Sequence, residues 1–226
     1  MEVQELQSES LEYLAVHPDS YDKEQGYPLV VLLHGFGANM YDLASLAHAI
    51  DRQNYVYLCP NAPLKDPLTL GISGRAWMPI SNYKTAEDIS KSEMLIAEFI
   101  EEMVALYLPK TAQVVLCGFS QGGMMTYQVG IPRPDNFAGL AVLSGRIDNL
   151  DALSGRLPIT RTQPIFIAHG IEDPIIEIEK ARESKEFLEG HGYQPRYHEF
   201  HTAHGISQDV LNQLVPWIHQ VLPAGT

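Results

Sequence analysis

The sequence predicts an α/β fold, a mostly parallel central sheet with helices on both faces, formed as one domain over residues 1–226. Three observations carry this. Short apolar runs bounded by Gly or Pro recur along the chain. Segments of helical period separate them, and the alternation continues without a break. The runs are apolar at every position rather than at every second one, which suits strands covered on both faces.

An early edge strand is expected in LEYLAVHP (11–18), followed by a strand in PLVVLLHG (28–35). YDLASLAHAID (41–51) has helical period, and YVYLCP (55–60) reads as the next strand. The stretch 60–85 is dense in Pro and Gly, and loops of that length inside compact domains often line binding sites. Ile96, Phe99, Ile100, Met103 and Tyr107 make one apolar stripe within 89–108, so a helix belongs there. Strands are then expected at AQVVLCG (112–118), GLAVLSG (139–145) and PIFIAHG (164–170). A helix is expected in IEIEKARESKEFLEG, ending at Gly190, then a late edge strand in PRYHEF (195–200). The last helix carries Val210, Leu211, Leu214, Ile218 and Leu222 on one stripe, with Ser207 as its N-cap. Pro216 should kink or interrupt it, because proline lacks the amide hydrogen.

Composition narrows the function. The 226 residues are 45% hydrophobic and 19% charged, ordinary for a globular chain with a sizeable core. The formal net charge of −13 repels phosphate backbones, and no Lys/Arg cluster offsets it, so nucleic acid and anionic membrane surfaces are poor partners. The first residues lack the basic-then-apolar order of a signal peptide, and no apolar run is long enough to span a bilayer. A cytoplasmic protein without stable membrane insertion is the expectation. Cys59 and Cys117 sit inside apolar runs and read as reduced, buried thiols.

The chemistry centres on VVLCGFSQGGMM (114–125). Gly118-Phe119-Ser120-Gln121-Gly122 follows an expected strand and precedes an expected helix, the setting of a nucleophile elbow. Residues two before and two after the serine crowd together there, so glycine is needed at both. A serine hydroxyl needs a base to take its proton. Among nine histidines, His204 in FHTAHGIS lies between the last strand and the last helix, and His201 is its main rival. His169 lies within AHGIEDP; His34, at the end of LLHG, should fix the shape of its own loop by hydrogen bonding. The acid should follow the strand before that of the histidine: Asp173 leads, with Glu172 and Asp148 as alternatives. An oxyanion needs two donors, for which the amides of Phe36 in LLHGFGANM and of Gln121 are the candidates. Met124 and Met125 read as core filler.

LLHGFG, GFSQGG, HGIEDPII and TAHGIS, in this order and context, resemble the α/β-hydrolase superfamily. Within it the chain is similar to the phospholipase/carboxylesterase family of small carboxylesterases, acyl-protein thioesterases and lysophospholipases, from about residue 10 to residue 222. The resemblance implies an α/β-hydrolase fold without a large lid. It implies Ser120 as nucleophile, Asp173 as acid, His204 as base, and Phe36 and Gln121 as oxyanion donors. The implied reaction is hydrolysis of carboxylic esters, lysophospholipids and acyl thioesters included, through an acyl-enzyme. A related hydrolase of different specificity, dienelactone hydrolase-like or peroxide-using, and a silent binding protein on the same scaffold are the alternatives. GRAWMPI matches the family's tryptophan segment, except that Met78-Pro79 stands where many relatives carry an acidic residue. Leu68, Leu70, Ile72, Trp77 and Met78 are candidates to line an apolar trough for an acyl chain; alternatively they tuck the loop onto the body. The partner expected is a small-molecule ester or thioester. No cofactor and no metal are expected, and no oligomeric state is implied, a homodimer being one option.

Overall fold

The computed structural model describes residues 1–65, 74–79, 85–107 and 113–223. Leu68, Leu70, Ile72 and residue 108 of the expected stripe lie outside the described residues. Eight strands form one sheet: β1 (Glu2–Gln7), β2 (Glu12–His17), β3 (Leu29–Leu33), β4 (Val56–Pro60), then β7 (Val114–Phe119), β8 (Gly139–Leu143), β9 (Ile165–Gly170) and β10 (Arg196–Phe200). The short β5 (Leu64–Lys65) and β6 (Arg75–Ala76) pair separately. The helices are α1 (Leu46–Ile50), α2 (Ala86–Tyr107), α3 (Gln121–Gly130), α4 (Leu150–Ser154), α5 (Ile178–Gly190) and α6 (Gln208–Val221).

The strand order is β1-β2-β4-β3-β7-β8-β9-β10, with β1–β2 and β2–β4 antiparallel and every other pair parallel. All five residues of β3 are buried. Leu29, Val31 and Leu33 face a core shared with α2, α3, α4 and α5, and Val30 and Leu32 face one shared with α1 and α6. Burial on both faces is why this strand reads as an unbroken apolar run. Met124 and Met125 belong to the first core, as the sequence suggests. Both cysteines are buried and unpaired, and burial pushes the Cys117 thiol up to about 12. Among the described residues no helix is long and apolar enough to cross a membrane.

Three expectations are corrected. The run 11–18 forms β2, which is not the rim: β1 pairs outside it in antiparallel register. EVQELQ hides this because only alternate residues are partly covered and nearly all are polar. The helix expected over 41–51 narrows to α1, since residues 41–45 form turns with bonds such as Ala44 N–H to Tyr41 O and Leu46 N–H to Leu43 O. The turns bury Leu43 beside Leu46, Ala47 and Ile50 of α1, much as a longer helix would. Finally, α6 runs through Pro216 without interruption. Packing of Val210, Leu214, Trp217 and Ile218 outweighs the one lost amide donor. Its cap is as expected, with the Val210 amide donating to Ser207 Oγ at 3.4 Å.

One buried charge cluster was invisible in the sequence. Glu93 of α2, 7% exposed in its side chain, accepts hydrogen bonds from Gln128, Arg133 and Arg156. A carboxylate this buried needs such partners, and they fasten α2 to α3 and to the chain after α4.

Candidate active site

The sheet changes winding direction between β3 and β7. From β3 the chain crosses to β4 on one side; from β7 it proceeds to β8, β9 and β10 on the other. The carboxyl ends of these two strands therefore leave a crevice, the usual place for ligands in open α/β sheets. LLHGFG ends β3 and GFSQGG ends β7.

Ser120 sits between β7 and α3 with φ 54° and ψ −117°, a strained conformation for a residue with a side chain. Its amide donates to Leu143 O at 2.9 Å, so β8 holds the corner. The flanking glycines are sterically required. A Cβ at Gly118 would stand 2.2 Å from Gly122 O, and one at Gly122 would stand 2.1 Å from Leu33 O.

Three loops converge on this corner. Ser120 Oγ lies 2.9 Å from His204 Nε2, and His204 Nδ1 lies 2.6 Å from Asp173 Oδ2. Gly170 allows the His204 loop to come this close, because a Cβ there would meet Thr202 O at 2.3 Å. The other Asp173 oxygen accepts the amides of Ile175 (2.8 Å) and Ile176 (3.0 Å). Burial raises the Asp173 carboxyl, but the bonds from His204 and these two amides outweigh it and hold the group below the usual range. A carboxylate at Asp173 fixes Nδ1 of His204 as a donor and leaves Nε2 to accept from the serine hydroxyl. The rivals fall elsewhere: exposed His201 pairs with Glu172 at 3.1 Å, and Asp148 pairs with Arg146 at 2.9 Å.

The imidazole of His204 also rests against Phe119, with ring centroids 4.9 Å apart. Gly35, in the loop after β3, makes room for that ring: a Cβ would lie 3.2 Å from Phe119 Cδ1. In this loop and at the start of α3, neither the Phe36 nor the Gln121 amide donates to a backbone carbonyl among the described residues. The loop is tied down on all sides. Gly37 N–H donates to Arg75 O at 2.9 Å, and Arg75 N–H returns a bond to Ala38 O at 2.8 Å. His34 is 1% exposed; it accepts from the Ala62 amide through Nε2 (3.1 Å), so its Nδ1–H donates to Gly35 O (2.7 Å). It fixes the shape of the loop, as the sequence suggests.

Burial lowers the His34 pKa from 6.5 to about 4. A histidine depressed in this way stabilises the fold fully above its unfolded value, and the contribution is lost as pH falls through 6.5 toward 4. By pH 4.5 about 2.5 kcal/mol should be gone from His34 alone. Calorimetry at pH 7.5, 6 and 4.5 should show a falling melting temperature; a flat profile would contradict this account of His34.

The phospholipase/carboxylesterase family description matches residues 18–222. The chain belongs to this family. Such hydrolases include acyl-protein thioesterase 1 of Mycosarcoma maydis, 26% identical over an alignment of 242 residues covering 95% of this chain and 98% of that one. Carboxylesterase SOBER1 of Arabidopsis thaliana is 26% identical over 209 residues, covering 85% and 90%. The Bacillus cereus carboxylesterase structure shares the α/β-hydrolase fold, with a TM-score of 0.76, 18% identity, and coverage of 94% and 95%.

The part of this phospholipase/carboxylesterase chain that motif reading reached least is the tryptophan segment. Trp77 and Met78 are 0% and 3% exposed and lie in the core. Trp77 donates its indole N–H to His34 O (2.9 Å), and Ser92 donates to Trp77 O (2.5 Å). The Gln121 side chain completes the clamp, accepting from the Trp77 amide (2.7 Å) and donating to Met78 O (2.8 Å). The hydrogen bonds of Trp77 thus anchor the loop to the body. The clue in the sequence was a polar side chain inside a glycine-rich helix start, where only a specific partner compensates burial.

Proposed function

We propose that the chain hydrolyses carboxylic esters or thioesters through an acyl-enzyme, with Ser120 as nucleophile, His204 as base and Asp173 as its orienting acid. One observation carries the reading: an unbroken hydrogen-bond run from Asp173 Oδ2 through the imidazole to Ser120 Oγ, at 2.6 and 2.9 Å. In this reading Ser120 Oγ attacks the substrate carbonyl while its proton passes to His204 Nε2. Buried Asp173 stabilises the imidazolium that forms, and the ring of Phe119 rests against it at a tilt of 46°. The amides of Phe36 and Gln121 receive the oxyanion, the second at the start of a ten-residue helix whose dipole favours negative charge. His204 then protonates the leaving alcohol or thiol, and water attacks the acyl-enzyme by the same base.

Substrates in this reading are small esters or thioesters, lysophospholipids among them, met by a cytoplasmic enzyme with no nucleic-acid partner, in keeping with the net charge of −13. Leu70, Ile72, Trp77 and Met78 remain the proposed acyl side, Trp77 and Met78 as its buried floor. A fluorophosphonate probe tests the chemistry. It should label the wild-type chain at Ser120 and leave Ser120→Ala unlabelled; equal labelling of both would refute the assignment.

A further inference from the structure

Two histidines lie beside Asp173, His204 and His169. His169 lies in β9, four residues before Asp173, with a fully buried side chain. Its Nε2 is 2.7 Å from Ile176 O and 3.3 Å from Asp173 Oδ2. A carbonyl only accepts, so Nε2 carries the hydrogen and Nδ1 is bare. That Nδ1 is buried with no hydrogen-bond partner among the described residues.

An unpaired buried nitrogen costs about 1–3 kcal/mol, which an apolar side chain of similar volume would avoid. The opposite nitrogen must offset it. Its position shows how. Asp173 Oδ1 takes the amides of Ile175 and Ile176, while the Ile176 carbonyl takes His169 Nε2–H. The turn after Asp173 is thereby closed into a ring that includes the histidine. The same N–H also approaches Oδ2, the oxygen that receives His204 Nδ1.

We propose that His169 is a positioning residue for Asp173: its Nε2–H locks the 173–176 turn and aims Oδ2 at His204. The inference rests on the triad reading of Ser120, His204 and Asp173. Because His169 is neutral, it orients the carboxylate without cancelling the charge that the imidazolium needs. The titratable groups facing it are Asp173 on its own loop, His204 from the chain after β10, and Glu199, its register partner on β10. Glu199 is held by Arg182 of α5 at 2.8 Å and by the Tyr197 hydroxyl at 2.9 Å. A second proton on His169 would find no acceptor at Nδ1.

The test compares His169→Phe, His169→Gln and Ser120→Ala in the full chain, on p-nitrophenyl butyrate. His169→Phe keeps a planar ring, somewhat larger than the imidazole, and removes the donor; kcat should fall on the order of tenfold with KM within twofold, as expected for a misaimed group. Gln places an amide N–H near the old Nε2 and should restore most of the rate. The low-field proton resonance of His204 Nδ1–H should shift in Phe and return in Gln, which a purely packing role would not produce. If the Phe variant fails to fold, His169→Asn replaces it, since its shorter amide does not reach Ile176 O; Asn slow and Gln fast supports the inference. Wild-type rate and resonance in the donor-less variant, or Gln as slow as that variant, overturns it. Full activity in Ser120→Ala would instead overturn the triad reading itself, so the two failures are separable.

Discussion

Ser120→Ala is expected to lower kcat for short p-nitrophenyl esters on the order of 10⁴-fold or more. The change deletes one oxygen, the atom 2.9 Å from His204 Nε2, and leaves every loop that meets at the corner in place. Neither the corner's hold on Leu143 O nor the glycine packing depends on that oxygen. Alanine at φ 54° inherits the strain of serine without adding to it. Stability should therefore shift by less than about 1 kcal/mol. Loss of turnover with an unchanged melting temperature is the signature to look for. A variant retaining a tenth of wild-type kcat would remove Ser120 from the chemistry.

The second large effect is structural. Gly122→Ala would place a Cβ 2.1 Å from Leu33 O and 2.7 Å from His34 O, backbone atoms that no rotamer change can clear. Either α3 or the end of β3 must move, and the second leads straight to the Phe36 amide. The expected cost is about 3 kcal/mol or more. For a chain of this size that is a melting temperature roughly 10 °C lower. A kcat drop of about 10² should accompany it, because the proposed oxyanion donors, the amides of Phe36 and Gln121, would separate. Gly190→Ala supplies the contrast: a Cβ there meets nothing within 4 Å, and stability should change by less than about 0.5 kcal/mol. Comparable melting temperatures for the two variants would refute the steric account.

The parallel strands were legible because burial on both faces leaves no polar position in them, as in β3 and β8. The loop residues Ser120, Asp173 and His204 were legible because the order of elements dictates where each strand end emerges. Other features depend on tertiary partners that no local pattern encodes. β1 is polar because it borders the sheet, so its period-two exposure resembles an irregular terminus. The clamp joining Gln121 to the Trp77 segment spans 43 and 44 residues and shows only when both ends are in place. His169 is similar: its ring reads as part of an apolar strand, and its bond to Ile176 O follows from a turn that Asp173 itself makes.

Trp77 bridges two halves of the crevice at once, through its indole to the chain before Phe36 and through its amide to the side chain of Gln121. Trimming its side chain to enlarge the proposed acyl side would remove the indole bond to His34 O and loosen the chain before Phe36, while the amide bond to Gln121 stays, so any altered chain-length selectivity would arrive mixed with a general slowing. Variation at neighbouring positions whose main-chain and side-chain groups do not carry this bridge is the cleaner route to redesign.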